Sequence, residues 1–117
     1  MVVDYSSRHR TDAVFHALAD ATRRSIVEKT FQRDYSISEL ARFYPMSFAA
    51  VQKHVAVLER AALITKVRRG REQIVHANGP TIAKAIALLD QYEQLWIDRA
   101  NQIATVLAQS DEEKGDH

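Results

Sequence analysis

Apolar positions recur at helical spacing through most of the chain. Ala13, Val14, Ala17 and Leu18 predict a short first helix over 12–18. Asp20 precedes Ala21-Thr22-Arg23-Arg24-Ser25-Ile26-Val27, an acidic cap ahead of an apolar stripe, and predicts a second helix to about Phe31. Ser36-Ile37-Ser38-Glu39 has the spacing of a capping box and opens a short third helix with Leu40 and Ala41 inward. Tyr44-Pro45-Met46 predicts a turn, because the residue before proline avoids the helical region. Ser47 then caps a fourth helix from Phe48 to about Ala61, with Val51, Val55 and Leu58 as its inward stripe.

After Leu63 the period changes. Residues 64–69 and 72–77 are rich in β-branched side chains and joined by Gly70-Arg71, the pattern of a β-hairpin. Asn78-Gly79-Pro80 punctuates the chain, with Pro80 suited to a first helical turn. From Thr81 to about Gln109 runs one helical pattern free of Gly and Pro. At ~1.5 Å per residue it reaches ~40 Å, longer than so small a domain needs. Its Leu88, Leu89, Tyr92, Leu95, Trp96 and Ile103 make an apolar surface too wide for one copy to cover, which predicts a homodimer interface. Trp96 reads as a packing residue, not as the wall of a ligand site. Residues 1–11 read as a flexible arm, 12–109 as the folded domain and 110–117 as a disordered acidic tail.

The expected architecture is mainly α with a small β-hairpin: a winged helix-turn-helix with a long C-terminal helix for dimerisation. In that order of elements, the helix after Ser47 is the one offered to the major groove, which is wide enough to admit it. Charge supports this. The formal net charge is only +1, but residues 42–71 carry Arg42, Lys53, Arg60, Lys66, Arg68, Arg69 and Arg71 against Glu59 alone. That block is +6 and the remainder −5, the footprint of a nucleic-acid face on an acidic scaffold.

The expected DNA-binding residues are Ser47, Phe48, Ala50, Gln52, Lys53 and His54 on the helix and Arg68, Arg69 and Arg71 at the hairpin tip. Alanines on the outward arc permit close approach. A carboxamide at Gln52 suits a base edge, and Lys53 suits a phosphate or a guanine. Three guanidinium groups around a glycine turn suit phosphates or the minor groove. Phe48 has two readings, a thymine-methyl contact or packing against the third helix. His54 reads as packing beside the DNA face or bonding a phosphate.

These residues resemble a known family. The stretch Val14-Phe15-His16-Ala17-Leu18-Ala19-Asp20-Ala21-Thr22-Arg23-Arg24 is similar to the opening motif of the ArsR/SmtB-type regulators. Ser38-Glu39-Leu40-Ala41 and the run from Met46 to Ile64 resemble that family's helix-turn-helix, and Arg69-Gly70-Arg71-Glu72 its wing. The resemblance spans about residues 13–107. It implies a cytoplasmic bacterial homodimer, paired through first and last helices, that represses transcription at a palindromic double-stranded DNA operator, with autoregulation among the possibilities it leaves open. Phe48, Gln52 and Ala62 depart from the family pattern, where a polar residue, Ser and Gly are usual.

The family's metal sites are not expected here, nor is any cofactor. There is no Cys, which also removes disulfides and thiol sensing. Asp90-Gln91-Tyr92 begins like a last-helix metal site, but no His lies between His76 and His117, and zinc needs about four converging ligands. No apolar run approaches the ~20 residues of a membrane span, and the first ten residues lack a leader's hydrophobic stretch, so a cytoplasmic location is expected. An enzyme is not expected: glycines number only 3, too few for a phosphate loop, and no nucleophile–base arrangement can be inferred. The alternative function is a winged-helix protein–protein adaptor without DNA binding, to which the basic strip would be useless.

Overall fold

Three side chains fix where helices begin. Asp20 accepts the backbone N–H of Arg23 at 2.9 Å and starts α2 (Ala21–Gln32). Ser36 and Glu39 exchange reciprocal 3.0 Å bonds with each other's backbone N–H and start α3 (Ile37–Ala41). Ser47 accepts from Ala50 N–H at 3.1 Å and starts α4 (Phe48–Arg60). Each cap satisfies an N–H that the helix cannot. The computed structural model describes the backbone of residues 5–115 and the side chains of residues 8–112.

The hairpin occupies the expected residues, β2 (Ile64–Arg69) and β3 (Glu72–Ala77), paired antiparallel with Arg69 opposite Glu72. Of its two loop residues only Gly70 takes positive φ (+65°), a conformation open to glycine without strain. A third strand, absent from the sequence reading, joins it: β1 (Tyr35–Ser36) pairs antiparallel with β3, giving the order β1-β3-β2. Two residues are too short to show a period, so only the tertiary partner reveals them.

Two boundaries differ from the sequence reading. The arm expected over 1–11 is helical from Tyr5, as α1 (Tyr5–Leu18). The tail expected from 110 is helical to Gly115, as part of α5 (Gly79–Gly115). In both cases no Gly or Pro intervenes, and extending a helix past its nucleus costs little per residue. Residues 1–4 and 116–117 of those two segments lie outside the described residues.

The residues form two compact units, one ending at Ala83 and the other beginning at Lys84. The first has a contiguous core. Val14 and Ala17 of α1, Ile26 of α2, Leu40 of α3, Val51, Val55 and Leu58 of α4, Ile64 of β2 and Val75 of β3 are all buried. The second is the remainder of α5. Along it Leu89, Tyr92, Leu95, Trp96 and Ile103 are exposed in the single chain, Trp96 to 65 %, while Leu88 is half-buried. Among the described residues no helix is long and apolar enough to cross a membrane.

Candidate nucleic-acid interface

Burial of Val51, Val55 and Leu58 at 0 % exposure locks the rotation of α4 about its axis. A helix pinned along one stripe must present the opposite arc outward. That arc carries Gln52 and Lys53, both exposed, and Ala50, half-buried. Ser47 accepts a bond in its cap, so its hydroxyl proton stays free for an external acceptor.

Phe48 is 47 % exposed and lines a depression together with Ile37 and Ser38 of α3. His54 is half-buried. Its Nδ1 lies 3.4 Å from the Arg23 guanidinium and 3.8 Å from the Asp20 carboxylate, at the α1–α2 corner. Arg23 is the hub there: it donates to the carbonyls of Ala17 (2.7 Å) and His16 (3.1 Å), while Arg24 donates to Leu18 (2.8 Å). These guanidinium groups answer the orphan carbonyls at the end of α1. The Arg23 backbone N–H, followed by the Arg23 and His54 charges, holds the Asp20 carboxyl below its ordinary value. The Asp-x-x-Arg spacing around the α1–α2 turn was the signal for this corner, and the sequence reading used only its cap.

The wing divides its arginines between two faces. Strand alternation and the register put Ile64, Lys66 and Arg68 on the face of buried Val75, with Arg68 opposite Gln73. Arg69 lies on the other face, and Arg71 sits in the turn. Arg68 Nε donates to the Gly70 carbonyl at 3.3 Å, which holds that guanidinium against the tip. Lys66 reaches back to α4, with Nζ 3.4 Å from Glu59 Oε1.

This order of helices, hairpin and long last helix has counterparts among solved structures. No family model matches the sequence. The chain is 33 % identical over 87 residues to the HTH-type transcriptional regulator Rv2034 of Mycobacterium tuberculosis, covering 74 % of this chain and 81 % of that protein. It superposes with a TM-score of 0.74 on an ArsR-like transcriptional regulator from Rhodococcus sp. RHA1, at 31 % identity, covering 86 % of this chain and 95 % of the other. The chain belongs to the ArsR family of transcriptional regulators.

As an ArsR-family member it is a DNA-binding transcriptional regulator, and its relatives belong to a non-enzymatic class. A homodimeric winged helix-turn-helix DNA-binding domain from Mycobacterium bovis shares the fold at a TM-score of 0.63 and 19 % identity, covering 80 % of this chain and 91 % of that one. Ala62, where the family motif usually has Gly, adopts φ +61°, the conformation that favours glycine. Among the described residues no three His, Asp or Glu side chains are grouped to hold a metal ion.

Proposed function

We propose that this chain is a homodimeric repressor that binds a palindromic operator in double-stranded DNA, its own upstream region included. The observation that carries the reading is that Gln52 and Lys53 of α4 lie exposed while the wing ends in Arg68, Arg69 and Arg71. Gln52 reads a base edge in the major groove, with Phe48 against a thymine methyl and Ala50 allowing close approach. Ser47, Lys53 and the wing arginines hold phosphates and set the register. His54 acts indirectly, by tying α4 to the α1–α2 corner through Arg23 and Asp20.

Dimerisation has separate support. Leu89, Tyr92, Leu95, Trp96 and Ile103, with Leu88, give α5 an apolar surface of a kind that single chains rarely leave uncovered. Two copies related by a two-fold axis put recognition helices about one DNA turn apart, ~34 Å, which matches a palindrome. A dimer seated across a promoter blocks polymerase by occupancy, and at its own promoter it limits its own synthesis. The reading places the protein in the bacterial cytoplasm, where its DNA is.

The test is a titration of fluorescent duplex from the upstream region, across salt and against a scrambled duplex. Tight, salt-sensitive binding that prefers the upstream sequence is the expected result, since released counterions make phosphate-dominated affinity fall with salt. Equally weak binding to both duplexes leaves an operator elsewhere in the genome or the adaptor, and loss of salt sensitivity favours the adaptor.

A further inference from the structure

Between α4 and the wing lies a depression of about 180 Å³. Its polar lining comes from Ser38 of α3, Gln52 of α4, Lys66 of β2 and Gln73 of β3, and its apolar lining from Ile37 and Phe48. No two of these four polar residues share an element, so only the tertiary fold assembles the site.

We infer that this trough seats one backbone phosphate of the bound duplex, held by Lys66, Ser38 and Gln73. The inference rests on the DNA-binding reading above and deepens it. A recognition helix in the major groove and a wing whose arginines hold the phosphates flanking the neighbouring minor groove lie on either side of one sugar–phosphate strand. Whatever joins them must straddle that strand, and the trough is the joining surface.

The donor set fits the task. Lys66 offers an ammonium, Ser38 a hydroxyl and Gln73 a carboxamide, while Gln52, exposed on α4, completes the polar lining. Ile37 and Phe48 complete the lining with apolar surface. Lys66 stands on the wing face that turns toward the helical body, beside buried Val75, and its side chain is only 24 % exposed. Glu59 already holds its Nζ at 3.4 Å, so less side-chain freedom remains to be lost on binding. An ammonium has three protons to donate and can bond Glu59 and a phosphate together.

The test compares variants of the full chain on the upstream and scrambled duplexes. Lys66→Gln lowers the salt slope by about one unit per trough occupied, and Lys66→Arg restores it. Gln73→Ala weakens binding to both duplexes by the same factor, about three- to tenfold, without changing base preference. Glu59→Gln breaks the ion pair but keeps the ammonium, so it loses much less affinity than Lys66→Gln and keeps the parent salt slope. Thermal unfolding of each variant separates a folding defect from a lost contact.

An unchanged slope in Lys66→Gln, with Arg71→Ala still lowering it, overturns the phosphate seat and leaves the repressor reading standing. A Gln73→Ala protein that relaxes preference at one base position makes Gln73 a base reader and also overturns it. Equal losses in Glu59→Gln and Lys66→Gln would show that Lys66 matters only through its ion pair. Absence of salt-sensitive binding by the unaltered protein removes the repressor reading and the inference together.

Discussion

Asn78 donates its side-chain amide to the carbonyl of Ala62 at 2.8 Å, so the residue that leaves the wing holds the residue that enters it. The Asn78 backbone N–H also donates to the Leu63 carbonyl at 3.0 Å. Ala62 is itself the hinge of the α4 C-terminus. Leu63 N–H reaches the Leu58 carbonyl at 3.0 Å and Ala62 N–H the Glu59 carbonyl at 2.9 Å, the two bonds of a Schellman motif. That motif demands a left-handed residue, and this chain supplies alanine at φ +61°.

Ala62→Gly therefore raises stability, by about 1 kcal/mol, because an L side chain in the left-handed region costs roughly that much. Asn78→Ala lowers stability by about 1 kcal/mol through the lost bond. Thermal unfolding of both variants and the parent measures the two opposite shifts; an Ala62→Gly protein that melts lower contradicts the strain.

Arg23 joins the last carbonyls of α1 to His54 of α4. Arg23→Ala leaves the Ala17 and His16 carbonyls without that donor and costs about 2 kcal/mol, in the range for charged hydrogen bonds. Arg23→Lys recovers little of it, since one ammonium cannot reproduce a fork of planar donors. Denaturant titration reads both losses, and full rescue by lysine would rule out the fork.

Acid should loosen the caps. Glu39 is held below its ordinary carboxyl value first by the Ser36 N–H and then by Arg33, at 3.0 Å; Asp20 is lowered as well. A folded carboxyl lowered in this way binds its proton less readily than the unfolded chain does. Its stabilisation is then complete above the unfolded value, near pH 4, and is lost as pH falls toward the folded one. Between about pH 5 and pH 2 the parent loses stability more steeply than Glu39→Gln. Equal slopes in urea melts across that window would contradict the mechanism.

On DNA, Lys53→Ala and Arg71→Ala should weaken binding to every sequence and reduce the salt slope. Gln52→Ala should relax discrimination at one operator position, by ~1–3 kcal/mol. Anisotropy titrations on an operator and its single-base variants separate these outcomes, and a uniform loss in Gln52→Ala refutes its role as a reader.

Leu89→Asp with Trp96→Asp should yield monomers. Both side chains are more than half exposed in the single chain, so the change spares its core. Light scattering decides: an unchanged dimer removes this surface as the interface.

Local chemistry decided much of this chain in the sequence alone. Asp20, Ser36 with Glu39, and Ser47 each bond within three residues, so three helix starts needed no tertiary information. The α4 stripe and the two-residue link at Gly70 were equally local, and the helix and hairpin they predicted stand at those residues. The basic block from Arg42 to Arg71 pointed to nucleic acid because charge adds along the chain whatever its fold.

Other features needed partners distant in sequence. Strand β1 exists because β3 lies beside it, about forty residues on. His54 carried the same residue type as a phosphate ligand, and only packing turned it toward Asp20 and Arg23. Lys66 and Gln73 were ordinary hairpin residues until the register set them on the face of Val75, opposite Ser38 and Gln52. Sequence fixes whatever depends on neighbours within a turn of helix or a tight link, where few conformations compete. The trough between α4 and the wing draws on four elements, and it acquired a geometry only when burial of the shared core set their positions.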